Sequence, residues 1–558
     1  MADLTIFQLT QILPGAVDSA TDLVPLWDDS ATETKKITVA DLKTVLGGVV
    51  NWSETFASGT QASSRWTPNN AAANVNAVIT PKGTGALTSD LPDGTATGGN
   101  SRGSYAVDLQ HTRTTAAQVA SGNQSVIGGG INNTASGLDS VVAGGRGNTA
   151  SGEKSFVGGG TLNTAAQFYH TIGGGYNNIT QTGGDGQTIA GGGFNTTGGT
   201  WSAIGGGSSN IANANYSTIA GGFDHTIQSV VTNGFIGGGS VNTITAGASS
   251  IIVGGVSNTI NSAATGLSFI GGGTLNSITS TYAFIGGGDS NATAGGYSVI
   301  GGGQQNTMGG AGWAFIGGGF SNYGFNNGFV ICGGYDNTNG GQYAFVGGGE
   351  SNNLTSGSYA TLVGGQLNYV NGNHGVIGGG LSNQLNEQFT SILGGRNANA
   401  YLYGMQAYSA GQFAAAGDAQ MSTLQMRAAI TGTAIADLWL DGASVRPILA
   451  ATNTIWAVRV QLVAVCTAAG NGTTAVGAVY AAERQLAIKR LNTTTSLVGT
   501  VGTIGANLSD TSMSTAAVTI TADDTNEALR VQFTPPSTAG TTTTFRVVAT
   551  LQLTQVKY

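Results

Sequence analysis

Between Gly122 and Asn399 the chain repeats one short pattern: an aliphatic residue, three glycines, two variable residues and an asparagine. It reads Ile127-Gly-Gly-Gly-Ile-Asn-Asn133, then Val157-Gly-Gly-Gly-Thr-Leu-Asn163, and returns down to Ile377-Gly-Gly-Gly-Leu-Ser-Asn383. Weaker copies keep two glycines, as Gly144-Gly145 with Asn148 and Gly364-Gly365 with Asn368. In two further copies His225 and Thr196 are expected where the asparagine should be. We count about 18 units spaced by roughly 15 to 18 residues, a period that belongs to solenoids.

Such a period cannot hold two helices, but it can hold two short strands and two turns. Each unit reads as a strand such as Tyr297-Ser-Val-Ile300, a glycine corner, and a second segment ending in Ala-Ser-Gly or similar. Serine, valine and isoleucine suit strands. Glycine permits positive φ and close backbone approach, so a triplet at every corner predicts another backbone packed there, from this chain or a partner. Asparagine at one register predicts an amide ladder, each side chain bonding the next. At ~4.8 Å per coil the rod is roughly 85 Å long. A flexible glycine linker needs neither the aliphatic residue before the glycines nor the asparagine after them.

Composition agrees. Glycine supplies 94 of 558 residues, but with 8 prolines and no Gly-X-Y period this is not collagen. Only 8% of residues are charged while 40% are hydrophobic, unlike a disordered chain. The net charge is −8 and no basic stretch exceeds Lys35-Lys36. A nucleic-acid partner would require a basic stripe. The chain starts with a polar segment lacking a secretory signal, and no run of ~18 apolar residues predicts a membrane span. A virus particle released by lysis fits that combination.

The two ends differ from the repeat. Residues 1–50 form a small module, with a strand leading into a short helix from Ala40 capped by Thr38. Residues 51–121 read as a β-rich neck, including a strand over 74–80. Residues 122–400 are the shaft and 401–420 a transition. Residues 421–558 alternate as strands over 436–440, 454–466, 483–489, 517–520, 528–533 and 544–553, with turn signals between them. This C-terminal part predicts an antiparallel β-sandwich, jelly-roll-like, which would also close the last coil's open edge. The fold class is therefore all-β.

Several strings resemble known families. The coil length and the Asn133-Thr-Ala-Ser-Gly137 and Asn148-Thr-Ala-Ser-Gly152 texture resemble the β-roll head of trimeric autotransporter adhesins, over about half of the chain. That resemblance implies three chains side by side. The glycine triplet departs from it, as does the lack of an export signal and of a C-terminal membrane barrel. The string Lys35-Lys-Ile-Thr-Val-Ala-Asp-Leu42 resembles one near the N-terminus of bacteriophage fibre and virion proteins. The neck from Pro92-Asp-Gly to Asp108 resembles the segment before such repeats in phage fibres, and the C-terminal part resembles the domain that ends many of them.

Little in the sequence suggests chemistry. Four histidines, His111, His170, His225 and His374, lie far apart with no metal-ligand spacing. Cys332 and Cys466 are expected to be plain buried residues. The stretch from Gly147 to Lys154 is a near miss of a phosphate loop that stays in phase with the repeat. No catalytic, metal or cofactor residue is expected, receptor-binding residues are not identified, and the chain is read as not an enzyme. The catalytic alternative is a polysaccharide-degrading tailspike, which needs two carboxylates about 5 to 9.5 Å apart. Asp336 and Glu350, at nearly equivalent turns of successive coils, are the best pair, with Asp289 three coils before Asp336. Tyr176, Phe194, Trp201, Trp313, Phe320 and Tyr335 recur near turns, where aromatics stack on sugars or cover neighbouring chains.

The expectation is a homotrimeric, virion-located bacteriophage tail fibre mediating adsorption. Its residues 1–50 would dock to a tail or baseplate protein, and its partner at the host would be a surface polysaccharide or an outer-membrane receptor. It takes no cofactor, nucleic acid or membrane insertion. A capsid-attached head fibre is the remaining alternative.

Overall fold

The structure is a computed structural model that describes residue 79, residues 81–263, 266–310 and 312–557, and the backbone of four earlier strands. The chain divides into two units, Met1–Lys82 and Gly83–Tyr558. In the first, Leu23–Leu26 pairs antiparallel with Lys35–Thr38, and Trp52–Phe56 with Ser64–Pro68. The expected helix from Ala40 and nearly all of the strand over 74–80 lie outside the described residues.

The second unit opens with a parallel β-solenoid of about 20 turns, roughly 95 Å along its axis at ~4.8 Å per turn. Each coil carries two two-residue strands. A front strand such as Val126–Ile127 stacks on Val141–Val142, and a back strand such as Thr134–Ala135 on Thr149–Ala150. Between them one residue bridges to its counterpart a coil away, as Ile131 does to Arg146. The second residue of each strand points inward, so Ile127, Val142 and Val157 form one buried column and Ala135, Ala150 and Ala165 another.

Two positions per coil sit in the left-handed region without being glycine. One precedes the asparagine (Asn132, Leu162, Asp336); the other lies two residues before the front strand (Asp139, Tyr169, Tyr343). Such φ values are uncommon for these residue types. Here each reverses the direction of its N–H. Strand residues donate to the next coil, whereas Asn132 donates back to Thr112 and Lys154 back to Leu138. The third corner glycine is fixed by the same geometry. Gly145 has φ +88, and a Cβ there would fall on the Gly160 carbonyl and the Asn148 amide.

The asparagine ladder is present, with a bonding pattern different from the one expected. The Asn133 oxygen accepts the backbone N–H of Asn148 at 3.0 Å. Its amide donates to Gly129 O and, one coil on, to Gly145 O, both at 3.0 Å. Each side chain therefore clamps two glycine corners to one another. Direct amide-to-amide bonds are added in some coils, as Asn258 to Asn242 at 3.1 Å. Every ladder residue is fully buried. Only a carboxamide combines two donors with an acceptor in this shape. The ladder starts on Gln110, whose oxygen takes the Asn133 N–H at 2.8 Å, and ends at the Ala398 N–H on Asn383. Thr196 is not one of its members: Asn195 is, donating its N–H to Asn178. There the first corner residue is Ala190, so counting from the glycines rather than from Ile189 slips the register by one.

In some coils interior volume is traded between the back-strand column and the residue before the front strand. Ile278 is followed by a small Ala283, both buried. At Gly324, a Cβ would meet the Phe329 ring, which fills that space. Polar pairs occur as well, His170 with Thr180 at 2.9 Å and Gln187 with Thr197 at 2.9 Å.

Both ends of the solenoid are closed. Near the start, between the first strand Leu87–Thr88 and Val126–Ile127, Asp108 takes the aliphatic column's place above Ile127. It is fully buried and paired with Arg102 at 2.9 Å and Arg113 at 3.5 Å. At the far end Gln406–Tyr408 pairs antiparallel with Ala419–Thr431. The sheet continues through Thr544–Lys557, Thr454–Ala468 and Val479–Leu491. A second antiparallel sheet, Ala436–Asp437, Ala528–Thr534 and Ala517–Asp523, packs on it through Phe533, which touches Tyr480 and Phe545. Gln555 ties the junction, accepting from Tyr401 at 2.6 Å and Trp456 at 2.8 Å and donating to Gly417.

Candidate functional site

The carboxylates proposed as a catalytic pair do not fall at equivalent positions. Glu350 occupies the bridging column between Tyr335 and Gln366, and its Oε2 accepts from Gln366 Nε2 at 2.9 Å. Asp336 sits one column over, in the left-handed position at φ 54. Asp289 shares the column of Glu350, separated from it by Gln304, Phe320 and Tyr335. At ~4.8 Å per coil that is about 19 Å, beyond the range of a glycosidase pair within one chain. None of the three joins an ion pair among the described residues, and no cluster of metal-ligating side chains occurs among them.

The six aromatics divide between columns. Tyr176, Phe320 and Tyr335 bridge at the glycine corner, with Phe320 and Tyr335 stacked at 5.3 Å. Phe194 meets Tyr176 edge-on at 5.1 Å. Trp201 and Trp313 instead occupy the left-handed position before the front strand. That second column holds a longer run that the sequence reading missed. Tyr282, Tyr297 and Trp313 stack in one block, and Tyr343, Tyr359, His374 and Phe389 in another, at centroid spacings from 4.8 to 6.0 Å. Lys154 belongs to the same column, bonded to Glu153 at 3.2 Å and lying over Phe168. The recurring Tyr-x-Phe-Ile or Tyr-x-Phe-Val string was the available signal. Rings stacked in this way spend their faces on one another and turn edges outward. Trp313, next to Gly328 in the following coil and 67% exposed, is the most open of them.

The histidines have structural surroundings. His111 meets Asp90 at 2.8 Å at the exposed start of the solenoid. His170 is buried and meets the Gly184 carbonyl at 2.7 Å; burial pushes its pKa down. His225 replaces a ladder asparagine, and burial pushes its pKa down as well. Cys466 is buried as expected, but Cys332 is exposed. It stands in the first corner position, where other coils have glycine, alanine, valine or leucine, and its side chain points away from the core.

In the C-terminal part, a cleft of about 560 Å³ opens on the sheet, lined by residues that include Met421, Arg459, Gln485, Gly502 and Thr554. Arg459 pairs with Glu483 beside it, which holds the Glu483 carboxyl below its usual range. Asp441 organises a turn nearby in sequence. Burial opposes its charge, but the N–H groups of Ser444, Val445 and Ala443 hold its pKa well below the ordinary value.

No family model and no curated protein matches the chain. Among solved structures it is similar to the tailspike protein of Acinetobacter phage vB_ApiP_P1, at 12% identity and a TM-score of 0.21, covering 72% of this chain and 82% of that one. It is also similar to the tailspike protein of Acinetobacter baumannii phage AM24, at 9% identity and a TM-score of 0.19, covering 84% and 76%. At such scores neither places any residue of this chain in a role. The expectation that the chain is not an enzyme is withdrawn: both similar solved chains are named as tailspike proteins.

Proposed function

We propose that the chain is a fibre or spike of a bacteriophage tail that adsorbs the particle to its host, built from three copies. Residues 1–50 dock to a tail or baseplate protein, the solenoid is a spacer, and residues 421–558 meet a host polysaccharide or outer-membrane receptor. The observation that carries this reading is a long parallel solenoid with different closures at its two ends. Its first coils hold the buried Asp108 pair and Gln110, and it ends in an antiparallel sheet of its own chain. Such a shaft has no room for a bound substrate inside and separates what is attached to either end. The phage-type string at Lys35 to Leu42 supports the docking role, and three-fold avidity lets weak tip sites act together.

The test is competition and imaging. Purified protein added to host cells should block adsorption of the particle that carries it, and a tag before Leu23 should appear at the tail. A tag at the capsid would replace this reading with a head fibre. Pure protein that shortens host polysaccharide would identify the particle's spike as a degrading one.

A further inference from the structure

Within each corner triplet the three glycines do not have the same cause. The third is demanded by its own chain, as at Gly145. The first is glycine where a Cβ would strike the next coil, and in seven coils gives way to a larger residue, as at Ala143, Ala220, Val253, Cys332 and Leu393. The second is glycine in every coil from Gly129 to Gly394. In nine of those coils, as at Gly129, Gly159 and Gly379, a φ between +147 and +159 itself favours glycine. In the others the backbone makes no such demand: a Cβ at Gly144, Gly174, Gly191 or Gly221 would meet nothing within 4 Å, and φ there lies outside the left-handed region. At Gly302 and Gly364 the nearest atom is at ordinary contact distance, 3.9 Å. Neither strain nor crowding within the chain requires glycine at these positions. The N–H of these glycines also has no partner within the chain among the described residues.

We infer that the second corner glycines mark the seam along which a second copy of this chain packs, coil against coil. Three observations choose that occupant. A column repeating at ~4.8 Å along the axis matches only a surface with the same repeat, which another copy supplies. The front strands beside it present Phe156, Phe284, Phe315, Val330 and Val376 outward and no charged residue in any coil from Val126 to Ser391, so like copies meet without repulsion. A strip roughly 82 Å long and about 10 Å wide covers about 820 Å² per chain, the size of a stable interface. A Cβ at the second position would hold the two surfaces apart, and glycine lets them close.

The inference rests on the three-copy reading above, and Cys332 separates the two. It is exposed in the single chain and adjoins Gly333 on the seam. The native protein is weighed by sedimentation and its native thiols are titrated with a disulfide reagent. Gly302→Asp with Gly364→Asp, two coils either side, is compared with Thr338→Asp on the back strand. The expected result is a multimer with Cys332 protected, opened by the glycine pair and not by Thr338→Asp, with the β circular dichroism unchanged. A multimer whose Cys332 reacts freely overturns the seam and leaves the assembly standing. A native mass of one chain overturns both.

Discussion

Nδ1 of His225 accepts the backbone N–H of Asn242 at 3.1 Å, where neighbouring coils use a carboxamide oxygen. The ring can do this only while Nδ1 is unprotonated. Burial lowers its pKa below the ordinary ~6.5, with Asp224 beside it opposing that shift. A lowered folded pKa means that the unfolded chain binds the proton first, so stability is complete above about pH 6.5 and falls as the pH drops below it. His225→Asn restores the ladder, and its thermal midpoint should fall less than that of the native protein between pH 7 and pH 5. The slope that remains belongs to His170, shifted in the same direction.

Asn291 donates to Gly287 O and Gly303 O and accepts the Asn306 N–H. Asn291→Ala removes these partners while leaving them buried, at a cost on the order of 3 kcal/mol. Asn291→Asp should be worse, since it turns an acceptor toward two carbonyls. Because coils interact only with their neighbours, the loss should appear as faster amide exchange around that coil, with the C-terminal sheet unaffected.

Gly324 and Phe329 should be strongly coupled. Gly324→Ile alone drives a side chain into the ring, and Phe329→Ala alone leaves a cavity costing about 3–5 kcal/mol. Together they recreate the combination found at Ile278 and Ala283, both buried. Urea denaturation of the four forms should give an interaction energy of about 1–3 kcal/mol in favour of the double variant.

Asp108→Asn leaves the guanidinium groups of Arg102 and Arg113 buried without their shared charge. Breaking a buried pair from one side costs about 3–5 kcal/mol. Trypsin should then cut after Arg102 and Arg113 at a rate well above that of the native protein, while the ladder beyond Asn148 stays protected.

The period, the strand pairs and the asparagine column could be read directly, because a repeat averages its own noise away. What could not be read was the rotation of each residue around the coil. Two left-handed, non-glycine positions per turn move Asp336 out of the column of Glu350 and bring Tyr359 and His374 into a stack. Sequence spacing alone carries no sign of φ. Thr196 was misplaced for a simpler reason: the triplet was counted from its glycines where Ala190 had replaced the first. Cys332 was read as core because free cysteine is usually buried. The strand Ala419–Thr431 was placed partly in the transition because its inward positions include the polar Gln420 and Ser422, of which Gln420 is held at the junction by the Asn399 backbone.

Each coil of the shaft is joined to its neighbours by the same few bonds, so the number of coils is not fixed by any of them. Removing a unit such as residues 291–305 would bring Asn276 under Asn306 with every donor and acceptor renewed, and would shorten the shaft by about 4.8 Å. The distance over which the two ends are held apart is thus adjustable in single steps by in-frame gain or loss of one repeat. Selection on reach can act independently of selection on what either end grips.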